Sequence, residues 1–121
     1  ELRRTEYIPA NVELLDHSDN LEVILSQSKY FMLLSFYEGL PLSALEALSC
    51  DMVLILSDVG GNTEIFKMGA FGLLVKDNSD SQSVADFIRG SDVPNSVNRQ
   101  VWLDHFTRER WTIEVKRIYN Q

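Results

Sequence analysis

The segment FYEGLPLSALE, residues 36–46, sets Glu38 and Glu46 with seven residues between them around a Gly39-Leu40-Pro41 turn. An ionised carboxylate only accepts hydrogen bonds, and it takes the strongest ones from well-aimed donors. Two such groups near one another suit the neutral hydroxyls of a polyol, such as a ribose diol or a hexose. They would repel a diphosphate, for which the free amides at a helix start are the better partner.

These residues need a frame to hold them. Residues 29–35 (KYFMLLS) form a short apolar run that predicts a strand buried on both faces, with Glu38 just past its end. Gly39 frees the backbone, and Pro41 suits the first turn of a helix over residues 41–49. Leu42, Ala44, Leu45, Ala47 and Leu48 give that helix an apolar stripe, and Glu46 falls about one turn in. Ser43 and Glu46 then share a face, and the amides of Leu42, Ser43 and Ala44 lack helical acceptors. A loop glutamate and a glutamate on a solvated helix would give the same spacing with no function. The context argues for a site: a second strand, Val53–Ser57, and the glycine pair Gly60 and Gly61 follow in unbroken order. That order describes the ligand-binding edge of an open parallel sheet.

The rest of the chain extends the pattern. Residues 11–15 (NVELL) read as a short strand, and residues 16–20 (DHSDN) as a turn. A helix follows over residues 21–27, with Leu21, Val23, Ile24 and Leu25 directed at the sheet. Further helices are expected over residues 62–68, 81–89, 99–106 and 108–119, and a strand over Gly72–Val75. Helix 81–89 would bury Val84, Ala85, Phe87 and Ile88 and stop at Gly90, and residues 91–98 read as loop. Thr107 reads as an N-cap, with Trp111, Ile113, Val115, Ile118 and Tyr119 as packing residues. Strands alternating with helices predict an α/β fold with a Rossmann-like parallel sheet.

Composition narrows the function classes. The 121 residues make one domain or a piece of one. With 18 acidic and 11 basic side chains, the net charge of -7 argues against nucleic acid as a partner. The single cysteine, Cys50, cannot form an internal disulfide, which fits a reduced cytoplasmic compartment, and its place at a helix end reads as buried packing. No apolar run reaches the roughly 20 residues that cross a bilayer, and the start ELRRTEY has no signal-peptide core. Opening on Glu1 rather than Met suggests a processed product or an excised fragment.

Other constellations carry less. Gly60, Gly61 and Asn62 could let a ligand approach the backbone, but neither G-x-G-x-x-G nor the P-loop pattern is present. Glu64 fits a first-turn acid complementing the helix dipole better than a ligand contact. His17 and His105 stand without partners at metal-ligand spacing, so no metal site is expected. Ser57 and Asp58 do not form a nucleophile elbow. Trp102 and Trp111 read as packing residues rather than stacking platforms.

Taken in order, NVELLDHSDN, SFYEGLPLSALEALSC, SDVGGNTEI, GAFGLLV, the helix containing Val84 and Ala85, and FTRERWTIEVKRIY resemble the C-terminal, donor-binding half of GT-B glycosyltransferases of group 1 (family 4) type. The resemblance covers residues 11–119 and rests most specifically on the E-x7-E element. It implies residues 1–121 are a partial donor-binding domain of an enzyme that moves a hexose from a UDP- or GDP-linked donor with retention and no essential metal. By the same resemblance, Glu38 would be the catalytic-site carboxylate contacting the donor sugar near the reacting carbon, though not a covalent nucleophile. The backbone around Gly39, Leu40, Leu42 and Ser43 would face the sugar and phosphates, and Glu46 would hold the ribose diol. A missing N-terminal domain would bind a polysaccharide, glycolipid or similar acceptor. The full enzyme would be cytoplasmic, with peripheral association at the inner face of the membrane.

The chain also departs from the family pattern. Asp51, Met52 and Val53 stand where a Gly-Pro usually joins the helix to the next strand, which suggests a looser turn. The basic pair that neutralises the diphosphate is not found, and Arg3 and Arg4 lack the strand context for that role. The rival from another class is a non-catalytic Rossmann-like remnant or interaction module. A flavodoxin-like receiver would need an acidic cluster after its first strand that this register does not supply.

Overall fold

The computed structural model describes residues 7–17 and 19–120. Its elements run α1 Leu21–Ser26, β1 Tyr30–Leu33, α2 Leu42–Ser49, β2 Val53–Ser57, α3 Gly61–Lys67, β3 Gly72–Val75, α4 Ser81–Gly90, α5 Val97–His105 and α6 Arg108–Tyr119. The strands form one parallel sheet in the order β1-β2-β3. Tyr30 lies opposite Val53 and Leu33 opposite Leu56; Leu54 lies opposite Gly72 and Ser57 opposite Val75. Parallel neighbours need a crossover, and α2 and α3 supply the two.

All of β2 is buried, and side-chain alternation along it builds two layers. Leu54 and Leu56 pack with Ala44, Ala47 and Leu48 of α2, Ile65 of α3 and Val101 of α5. Ile55 points the other way, to Val75 and Val84, with Tyr30, Leu73 and Phe87 closing around them. Helices therefore cover both faces, with α2, α3 and α5 on one and α4 on the other. Burying each such Leu or Ile contributes about 1.5–3 kcal/mol, so the middle of β2 holds both layers to the sheet.

The expected strand at residues 11–15 does not form. Val12 instead donates its amide to the Pro9 carbonyl in a turn, and Val12, Leu14 and Leu15 are exposed. Two alternating apolar residues do not make a strand without a ladder to join. β1 is shorter than expected and is not buried on both faces, since Met32 is 48% exposed and Leu34 is exposed as well. It is an edge strand among the described residues, and no helix covers Met32. In α1 only Leu25 is buried; Leu21 and Val23 face outward, because this short helix leans on α2.

Other local expectations shift by small amounts. Pro41 is the N-cap of α2 rather than a first-turn residue, and its carbonyl accepts from the amides of Ala44 and Leu45. Cys50 is half-buried against the first core cluster rather than sealed within it. Gly90 is the last residue of α4 and does not act as its stop; the chain turns extended at Ser91. α5 begins at Val97, inside the segment expected to be loop. Trp102 packs against the core as expected.

Two C-terminal features are more instructive. Thr107 caps α6 as expected, accepting from the Arg110 amide, yet no residue of α6 is buried. Trp111 is 68% and Tyr119 84% exposed, Ile113 and Ile118 are exposed too, and of the expected packing residues only Val115 is half-buried. An apolar stripe shows which face of a helix can be covered, not that a partner is there. The turn at Asp51 is tied rather than loose. Asp51 holds a left-handed φ of 60°, and its carboxylate accepts from the amides of Ser96 at 2.6 Å and Arg99 at 2.9 Å. It thereby caps α5 from a distant part of the chain, where Ser96 makes no side-chain cap of its own.

Candidate functional site

The C-terminal ends of all three strands open onto one cleft of about 650 Å³, lined by Ser35, Phe36, Ser57, Val59 and the segment from Val75 to Ser79. This is the edge at which open α/β sheets bind ligands. A hydrogen-bonded ring fixes its floor. The Ser35 amide donates to Ser57 Oγ at 2.7 Å, Ser57 Oγ donates to Asn78 Oδ1 at 2.8 Å, and Asn78 Nδ2 donates back to the Ser35 carbonyl at 3.1 Å. Ser57 is 1% exposed, so each of these bonds replaces one that water cannot supply.

Glu38 is attached to this floor. Ser35 Oγ donates to Glu38 Oε1 at 2.6 Å, which orients the carboxylate beside the cleft and leaves Oε2 for another donor. Asn62 secures the next layer, donating from Nδ2 to the Ser57 carbonyl at 2.9 Å. Its Oδ1 is buried and has no hydrogen-bond partner among the described residues. Lys76 and Asp77 bring one charge of each sign to the rim. The Ser79 hydroxyl, and then its amide, hydrogen-bond Asp77 and hold its carboxyl below the ordinary aspartate range.

The glycine pair lets two backbone segments of the chain meet. A Cβ on Gly60 would sit 1.9 Å from the Glu38 carbonyl oxygen, and one on Gly61 would sit 1.9 Å from that of Gly39. This close approach is made by the chain's own backbone. Glu64 is exposed in the first turn of α3 and bonded to Lys67 Nζ at 2.7 Å, so it takes the helix-surface role.

Of the residues singled out in the sequence, Glu38 is half-buried, while Gly39, Leu40, Leu42, Ser43 and Glu46 are exposed. Leu42 and Ser43 open α2, and their amides have no acceptor among the described residues. The Ala44 amide is not available in the same way, because it bonds to the Pro41 carbonyl at 3.1 Å. Glu46 lies apart from the Glu38 cleft, in a second depression of about 240 Å³ lined with Leu21, Glu22, Leu25, Ser49 and Cys50. Arg3 and Arg4 lie outside the described residues. Among the described residues no group of three or more His, Cys, Asp or Glu side chains could hold a metal ion, and no helix is long and apolar enough to cross a membrane.

Sequence reasoning missed the ring at the cleft floor. From the sequence, Ser57 reads only as a strand end that fails as a nucleophile, and Asn78 has no role of its own. The available signal was a serine closing a buried strand and an amide side chain just after the next one, both at the ligand edge of the sheet.

The family described as "Glycosyl transferases group 1" matches residues 2–91. The chain belongs to the group 1 glycosyltransferases. Its three-stranded parallel sheet with helices on both faces is a partial Rossmann-like GT-B domain. Over 79 residues, 65% of this chain, it is 33% identical to the UDP-Gal:alpha-D-GlcNAc-diphosphoundecaprenol alpha-1,3-galactosyltransferase of Escherichia coli. That match spans 20% of the relative's own length. Group 1 glycosyltransferases take nucleotide-sugar donors.

Proposed function

We propose that this chain binds the donor in a retaining hexosyltransferase, taking a nucleoside-diphosphate sugar of the UDP-linked kind. The observation that carries the reading is the 2.6 Å bond from Ser35 to Glu38, which presents a fixed carboxylate at the ligand edge of the sheet. Glu38 accepts hydrogen bonds from the donor hexose close to its reacting carbon. Glu46, on α2 beside the second depression, holds the ribose hydroxyls. The backbone at Gly39 and Leu40 faces the sugar. The open amides of Leu42 and Ser43 face the phosphates, where they offset the charge that grows on the leaving diphosphate.

The chemistry is glycosyl transfer: the bond from the anomeric carbon to the diphosphate breaks, the acceptor hydroxyl forms the new bond, and its proton leaves with the diphosphate or to solvent. Likeness to a galactosyltransferase acting on a diphosphoundecaprenol-linked sugar supports a UDP-hexose donor and a lipid-linked or glycan acceptor. Such an acceptor would be met by a separate acceptor-binding domain of the complete protein, at the inner face of a membrane. A fixed Glu38 weighs against a remnant that has lost its donor site.

Isothermal titration of the complete protein with UDP, beside the Glu46→Ala variant, tests the reading. Saturable binding that weakens roughly tenfold or more on losing the ribose contact is expected, since that is about 1.4 kcal/mol. A folded protein that binds no nucleoside diphosphate, or binds it equally well without Glu46, would sink it.

A further inference from the structure

We infer that Asn78 and Ser57 are positioning residues for Glu38, acting through Ser35; the inference rests on the proposed role of Glu38. Asn78 sits just past β3, 43 positions from Ser35 along the chain, yet it donates to the Ser35 carbonyl at 3.1 Å. Ser57 Oγ accepts from the Ser35 amide at 2.7 Å and donates to Asn78 Oδ1 at 2.8 Å. Both backbone polar groups of Ser35 are thus held by side chains from β2 and the loop after β3. Sheet pairing could not hold them, because the paired part of β1 ends at Leu33. The Ser35 hydroxyl in turn fixes one oxygen of Glu38 at 2.6 Å.

The ring is closed and directional. Ser57 Oγ has one proton, which it donates to Asn78, and it accepts from the Ser35 amide, so the direction of both bonds is assigned. Asn78 uses its amide oxygen on Ser57 and its nitrogen on Ser35. An aspartate there would present a second acceptor to the Ser35 carbonyl, and an alanine would release it. Either change lets residue 35, and the carboxylate it orients, drift. A misplacement of about 1 Å at a reacting group costs up to roughly 100-fold in rate.

The experiment uses the complete protein and measures nucleotide release from UDP-galactose, UDP-glucose and GDP-mannose, taking whichever turns over. Asn78→Ala is expected to lower kcat roughly 10–100-fold with little change in the donor's KM. Hydrogen exchange should quicken across residues 35–40 by more than any loss of global stability accounts for. In a Glu38→Gln background the same change should cause no further loss, because its whole effect runs through that carboxylate. Losses that multiply, or an Asn78→Ala enzyme with unchanged kcat, would overturn the inference. Should Asn78→Ala fold poorly, Asn78→Ser and Ser57→Ala carry the same comparison. A wild type with no turnover of any donor, or Glu38→Gln with full activity, fails the donor-site reading itself, a different outcome from additive losses.

Discussion

The amide of Gly61 donates to the carbonyl of Gly39 at 2.8 Å, joining the start of α3 to the loop that carries Glu38 backbone to backbone. No side chain fits between them. Gly61→Ala should therefore push the Glu38 loop away or force α3 to retreat, at a cost of about 1–3 kcal/mol. Gly39→Ala is the control, because a Cβ there meets nothing within 4 Å. It should leave stability within about 0.5 kcal/mol while weakening donor binding. Urea unfolding of both variants, with a nucleotide titration beside it, separates the two effects.

Asp51 is expected to be worth its awkward backbone. Asp51→Ala removes both acceptors that cap α5 and should destabilise by about 1–2 kcal/mol. Asp51→Gly relieves the left-handed φ as it loses the cap, so its cost should be smaller than that of alanine. Denaturant midpoints give the order; a glycine variant less stable than the alanine one would contradict it.

Asn98 ties the start of two strands to α5. Its side chain donates to the Met52 carbonyl at 2.6 Å and the Phe71 carbonyl at 2.9 Å, and accepts from the Phe71 amide at 2.6 Å. Asn98→Ala strands buried groups, and each costs about 1–3 kcal/mol. A loss of about 2–4 kcal/mol is expected by thermal or chemical unfolding. Asn98→Asp should be worse than alanine, since a carboxylate would face two carbonyls.

The start of α4 should respond to acid. Asp80 is held below the ordinary aspartate value by the Ser83 hydroxyl and then by the Ser83 amide. A group whose folded pKa is depressed stabilises above its unfolded pKa and loses that contribution as pH falls through the folded one. Exchange of the Ser83 amide should therefore quicken only below the ordinary aspartate range. In Asp80→Asn, which cannot titrate, that step should vanish.

What the sequence disclosed depended on how local the signal was. Val53–Ser57, Gly72–Val75 and Arg108–Tyr119 fall where expected, because an apolar run, a glycine entry or a threonine cap marks each within a few residues. The placement of Glu38 a few residues beyond a strand end was legible for the same reason. The Ser57–Asn78 bond spans 21 positions and the Asp51–Ser96 bond 45, and neither has any local mark. Burial of α6 failed in the opposite way. Trp111 and Ile118 carry a clear stripe, but whether a stripe is covered depends on what stands opposite.

β2 is bonded on both sides and buried throughout, whereas β1 and β3 each have a strand on one side only among the described residues, and of the two only β1 carries an exposed residue, Met32. The sheet should therefore open from the β1 flank first, with amides of β2 exchanging last. Since Glu38 follows β1, that partial opening would carry the carboxylate away while most of the core stays shut. On gentle warming, loss of ligand affinity should precede loss of far-ultraviolet dichroism, so the melting curve would overstate the temperature range over which the site is intact.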